Sequence, residues 1–271
     1  MNLNHKRFNS FRQRSISNRA ETRRLLALRN NLEKRFYKRL NTIFRKFLNT
    51  QLYLYKEFGI YDEGIAVQSL NEEFMPVILN HYRKIFQVTY KSNEDKYFGN
   101  QKQEAFVFGR STDFEELVEN YFNTRQLVLA GITARMSNRI SNLIEQGRAD
   151  NLTLDEIARL VSSKFLPISR TRSALISRTE THNAASFANN SYHKQVEKDL
   201  GIKMLKKWVA TNDARTRSTH ASANGQIVDM NEDFIVGGMP MSYAGDPKGG
   251  AANVINCRCV IIYADERDME T

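Results

Sequence analysis

A helical rhythm of apolar residues near the start of the chain limits its folds more than any other feature. Leu25, Leu28, Leu32, Phe36, Leu40, Ile43, Phe47 and Tyr55 follow one another at intervals of three and four, with one longer gap. Those intervals put side chains on one stripe of a 3.6-residue helix, whereas a strand would need alternation. The rhythm predicts one long amphipathic helix over residues 21–58, stopped by Gly59 at its C-terminus.

The opposite face of this helix is basic. Arg24, Lys34, Arg35, Lys38, Arg45 and Lys46 fall there. The first fifty residues hold fourteen Lys or Arg against two Asp or Glu, and the remainder holds twenty-six against twenty-eight. The net charge of +10 is thus a property of the N-terminal segment. Such polarity suggests that one end meets nucleic acid or an acidic protein surface, although a solvated helical face also reads this way. Candidate contacts are Arg12, Arg14 and Arg19 in the tail, with Arg23, Arg24, Lys34, Arg35, Lys38, Arg39 and Lys46 on the helix. A helix this long with a basic back lies along phosphates or packs into an oligomeric neck. Residues 1–20 carry few large apolar side chains, so a mobile basic tail without a secretory signal is expected.

Further helices are expected at 72–88, with Pro76 in the first turn, and at 113–147, with a connecting loop over 90–111. Thr153 followed by Glu156 is a capping box. It opens a short helix that Pro167 is expected to end, after which Ser169 caps another helix over 170–196. At Gly201 the period changes. Residues 203–210 read as a strand, 211–213 as a turn, Asn224-Gly225 as a turn pair, 226–229 as a second strand and 260–263 as a buried strand. Glycine-rich stretches around 237–240 and 245–250 read as loops.

The expected fold class is α+β. A mostly helical N-terminal half with long amphipathic helices is followed by a small C-terminal α+β domain of short strands and long loops. The expected divisions are a tail over 1–20, a helical region with a basic long helix over 21–112, and a domain over 113–271. That last domain has helices to about residue 197 and a small β unit over 201–263. No apolar run approaches the roughly 20 residues that span a bilayer.

Cys257 and Cys259 are the only cysteines. Neighbours this close make a poor disulfide, but on a strand both thiols face one side. With His220, and with Asp213 or His182, they would hold one structural zinc; two buried thiols beside Trp208 is the alternative, with no cofactor. Asp213, Arg215, Arg217 and His220 leave the end of the Trp208 strand on one loop. Charges of both signs there imply a hydrogen-bond and ion-pair network with Glu180. A catalytic version would use Glu180 as base, His220 as acid and Arg215 as anion clamp. Structural networks imitate such sites, so no catalytic residue is assigned.

The ordered set Arg178-Thr179-Glu180, Trp208, Asp213-x-Arg215-Thr216-Arg217-x-x-His220, Gly225, Asp246-Pro247 and Asn256-Cys257-Arg258-Cys259 resembles the Mu F-like head morphogenesis domain of tailed bacteriophages. The resemblance covers roughly residues 120–263. It implies a minor capsid protein of the virion head near the portal vertex, found in the host cytoplasm during assembly. Its implied roles are head assembly and DNA packaging or delivery, and its implied partners are the portal protein and other head proteins; the basic N-terminal segment adds double-stranded DNA, bound without sequence preference, as a candidate partner. Arg178, Glu180, Trp208, Asp213, Arg215, Arg217, His220 and Asn256 would then form a structural network. The runner-up is an enzyme acting on nucleotides or phosphodiesters through Glu180, His220 and Arg215, since related domains occur beside toxin modules. An enzyme should expose Glu180 and His220 in a cleft; an assembly protein should bury them.

Overall fold

The computed structural model describes residues 18–98, 111–211 and 213–269. Among the described residues four long helices come first: α1 (Asn18–Phe58), α2 (Glu63–Phe98), α3 (Ser111–Ala149) and α4 (Leu154–Leu200). Short elements follow: β1 (Met204–Val209), α5 (Ser218–Ser222), β2 (Ile227–Asp229), β3 (Phe234–Val236), β4 (Met239–Met241), a 3-10 turn (Pro247–Gly249), α6 (Gly250–Val254), β5 (Val260–Asp265) and α7 (Glu266–Met269). The molecule is therefore α+β, with long helices first and a few short antiparallel strands near the C-terminus.

Helix α1 follows its rhythm: Leu25, Leu32, Phe36, Leu40, Phe44, Phe47 and Tyr55 are all buried. It ends where Gly59, at φ +68°, donates its N–H to the Tyr55 carbonyl at 2.8 Å. Helix α2 is longer than its apolar rhythm indicated, beginning at Glu63, where the Asp62 carboxylate accepts the Ile65 N–H at 2.9 Å. Beyond Val88 its buried face carries Thr89 and Asn93, polar residues that break the apolar pattern without breaking the helix. Pro76 lies well inside it and not in its first turn.

Helix α4 is a second departure. The Thr153–Glu156 box opens it: Thr153 N–H donates to Glu156 Oε2 at 2.8 Å, and Glu156 N–H to Thr153 Oγ1 at 3.3 Å. Pro167 does not end it, because the helix runs unbroken to Leu200. The carbonyl that proline leaves without an N–H belongs to the residue four positions earlier, here Ser163, and Ser163 and Pro167 are both exposed to water. Glu72 and Pro76 are exposed in the same way.

The described residues of Met1–Leu32, Arg83–Glu116 and Arg178–Thr271 form one compact unit; Glu33–Tyr82 with Leu117–Ser177 form a second. The second unit is helical throughout. Its interior stacks Phe36 on His81 at 3.8 Å, sets Phe44 beside Phe74 at 6.1 Å and meets Tyr82 with Tyr121 edge-on at 5.0 Å. Burial, with Arg39 nearby, pulls His81 down to about 3, so it is neutral there.

The first unit holds the sheet, in the order β2-β1-β5, antiparallel throughout, with Leu205 between Asp229 and Ala264. Strand β1 buries Met204, Lys206 and Trp208 on one face. The glycine-rich stretch expected to be loop instead contains the β3–β4 hairpin, closed by Gly237 and Gly238 at φ +58° and +79°. Two successive positive φ values match the twist of a tight hairpin.

A closed polar ring ties the helices of this unit together. Arg24 donates to both Glu21 oxygens at 2.8 Å and to Asn93 Oδ1 at 3.1 Å. Asn93 Nδ2 donates to Asn189 Oδ1 at 2.8 Å, and His193 Nδ1 to the Asn189 carbonyl at 2.7 Å. That fixes the tautomer, so His193 Nε2 accepts from Tyr97 Oη at 2.7 Å, while Lys96 returns to Glu21 at 3.2 Å. Burial alone raises the Glu21 pKa, but Arg24 and Lys96 outweigh it and hold the carboxyl at about 2.

Candidate functional site

The site forms where β5 begins. Asn256, at φ +57°, adopts the left-handed conformation that asparagine tolerates. Its N–H donates to Thr179 Oγ1 at 3.3 Å, and its Oδ1 accepts from Arg178 at 3.3 Å. Helix α4 is thereby fastened to the segment entering β5 through Arg178 and Thr179. The extended chain then alternates. Cys257 and Cys259 turn inward, 1% and 2% exposed, and Arg258 turns outward.

The inward face meets His220, carried by the single turn of α5 and 2% exposed. Its Nδ1 stands 3.3 Å from Cys259 Sγ and 3.7 Å from Cys257 Sγ, and the three donor atoms lie within 4.8 Å of one another. Trp208 meets the His220 ring edge-on at 5.8 Å and Phe234 at 5.4 Å. A hydrogen bond from Cys259 holds the Cys257 thiol below its ordinary range, against the effect of burial. Donating that bond raises Cys259, and burial adds to the rise.

Arg29 reaches the same place from α1. Its guanidinium donates to His182 Nδ1 at 2.9 Å, to the Cys259 carbonyl at 3.3 Å and to Ser186 Oγ at 3.0 Å. Burial lowers Arg29 to about 10, so it keeps its charge at neutral pH. The same burial, reinforced by Arg29, pushes His182 far below its usual value, leaving a neutral ring that accepts at Nδ1. Sequence reasoning missed Arg29. Its signal was present, since a charged residue occupies the slot between Leu25 and Leu32 on the apolar stripe.

The outward face is separate. Arg258 grips the Asp213 carboxylate through two bonds of 2.5 and 2.6 Å, holding it below the usual carboxylate range. Asp213 also accepts the Arg215 N–H at 2.9 Å, and the Arg215 side chain is exposed, 3.8 Å away. Arg217 donates to the Ile255 carbonyl. Asp213, considered as a fourth metal ligand, is therefore corrected to an ion-pair partner: Arg258 points away from the two cysteines and takes the carboxylate with it. The charged loop forms this outer clasp, while His220 and Trp208 belong to the inner cluster and Glu180 is buried on α4.

Arg12 and Arg14 lie outside the described residues. Arg19, Arg23, Lys34, Arg35, Lys38 and Arg39 are exposed, as is Lys46, which pairs with Glu73 at 2.6 Å. Arg24 is corrected from surface contact to half-buried member of the polar ring, because its guanidinium is taken by Glu21, Asn93 and Ser92.

Residues 137–262 match the family described as "Phage Mu protein F like protein". The chain is 28% identical over 254 residues to the Minor head protein GP7 of Bacillus phage SPP1, covering 86% of this chain and 80% of that one. It is 33% identical over 129 residues to the NAD(+)--arginine ADP-ribosyltransferase EFV of Enterococcus faecalis, covering 47% of this chain and only 26% of that protein. No solved structure matches. Among the described residues, no helix is long and apolar enough to cross a membrane.

Proposed function

We propose that this chain, whose residues 137–262 match the phage Mu protein F like family, is a minor head protein working beside the portal of a tailed phage. The observation that carries this reading is the likeness to a minor head protein over 254 residues, well beyond the family region and into the long helices. The enzyme alternative needed Glu180 and His220 facing solvent; each is 2% exposed, which supports assembly over catalysis.

Within this role, residues 1–46 contact packaged DNA or an acidic partner surface. Lys34, Arg35, Lys38, Arg39, Arg45 and Lys46 are exposed along α1. At a rise of about 1.5 Å per residue they cover about 18 Å, room for several phosphate contacts, which position a protein on DNA without reading its sequence. Duplex DNA binding by the full chain should weaken steeply between low and physiological salt, and Lys34, Arg35 and Lys38 changed together to Glu should flatten that dependence. Binding that ignores salt, or none at low salt, sinks the DNA contact. Particles emptied of DNA test the location: the chain should stay with the portal, and its loss with the DNA would refute portal association.

A further inference from the structure

We propose that His220 Nδ1, Cys257 Sγ and Cys259 Sγ are ligands of a single zinc ion that staples the β unit. The distances are the first reason. With zinc–sulfur arms of about 2.3 Å and zinc–nitrogen arms of about 2.0–2.1 Å, a tetrahedral site separates nitrogen from sulfur by about 3.6 Å. The imidazole nitrogen here stands 3.3 and 3.7 Å from the two sulfurs. It carries one proton or one lone pair and cannot serve both sulfurs well as a hydrogen-bond partner, whereas one cation between them satisfies all three atoms.

The second reason is charge. Arg29 is 6% exposed, and its hydrogen-bond partners, His182, Ser186 and the Cys259 carbonyl, are all neutral. Thiolate ligands beside it supply the negative charge that a buried guanidinium needs. The third reason is position. His220 and Cys257 are 37 residues apart, bracketing a stretch of one hairpin, short turns and glycine-rich loops. A metal joining the ends of such a loop limits the unfolded chain most where the loop has least core of its own.

The donor set is soft and borderline, two sulfurs and an imidazole, which favours zinc over calcium or magnesium. Binding requires both thiols to lose their protons, so it should release protons as it proceeds.

The test uses the full chain without a metal-binding tag, reduced and stripped by chelator. Titration with zinc against a chromophoric chelator should find one tight equivalent with proton release. Cobalt(II) in place of zinc should give thiolate-to-metal charge transfer in the near ultraviolet and the visible bands of a tetrahedral ion. Cys257→Ser and Cys259→Ser should each weaken binding by more than the roughly 10–100-fold that loss of an outer-shell partner costs. Should those variants fail to fold, the cobalt spectrum of the unaltered chain decides alone. Zinc uptake below about a tenth of an equivalent overturns the proposal. So does a cobalt spectrum without thiolate charge transfer, or equal affinity in the folded serine variants.

Discussion

Lys206 and Gly245 show how much single residues carry in a domain made mostly of loops. Lys206 is fully buried on β1, donating to the Ser242 carbonyl at 2.9 Å and lying 5.2 Å from the centre of the Phe234 ring. Burial, helped by Lys194, lowers its pKa to about 8 against the pull of Asp233 and Asp246. The folded state thus sheds a proton that the unfolded chain keeps until about pH 10.4. Relative to Lys206→Met, the protein should gain stability as pH rises from 8 to about 10, by at most about 1.4 kcal/mol per unit. Paired urea titrations across that range read the difference, and a flat one would mean the ammonium is solvated. Gly245 has φ +89°, and a Cβ there would overlap the Asn183 side-chain amide. Gly245→Ala should cost about 3 kcal/mol or more, of which about 1–2 kcal/mol is backbone strain. Adding Asn183→Ala should recover the steric part alone.

The elements obey simple local rules with two informative exceptions. Thr153 and Glu156 cap α4 reciprocally, and Thr153→Ala should lower stability by about 1 kcal/mol in urea denaturation. Pro167 is the first exception. It sits in an exposed part of the same helix and withholds one N–H. Pro167→Ala should restore that bond and raise stability by about 1–2 kcal/mol, less than the full proline penalty because the unfolded chain gains freedom as well. A loss would show that Pro167 sets a bend which the packing needs. Asn93 is the second exception, a polar residue on the buried face of α2, satisfied by Arg24 and Asn189. It hid the last turns of α2 because the residues that satisfy it come from two other helices.

At the scale of the whole molecule, buried histidines set the acid limit in both units. His81 in one unit and His193 in the other are each pulled to about 3 by burial, and His182 falls well below its usual value. The unfolded chain protonates these groups near pH 6.5 and the folded chain does not. Stability should be full above about pH 6.5 and fall as pH drops toward 3, by up to about 1.4 kcal/mol per unit for each histidine. Glu21, held at about 2, keeps the polar ring charged over most of that range. Urea midpoints at pH 7 and pH 5 should therefore differ clearly, and His81→Phe should narrow the gap. Equal midpoints would contradict this account.

The sequence by itself determined what depends on neighbours along the chain. Periodicity marked α1 to its last residue, Thr153 and Glu156 marked the start of α4, the charge count placed the basicity at one end, and the cysteine pair points one way because extended chain alternates, even though both cysteines precede β5. It also offered Cys257, Cys259 and His220 with Asp213 or His182 as one metal set, whereas packing gathers His220 and the two cysteines beside Trp208 and leaves Asp213 outside. Only the tertiary structure decided which charged groups meet. Arg29 enters the cysteine cluster from more than two hundred residues away, and Arg258 draws Asp213 outward. The physical reason is range: helical period and strand alternation act over a few residues, whereas the partner of a buried charge is whatever packing brings against it.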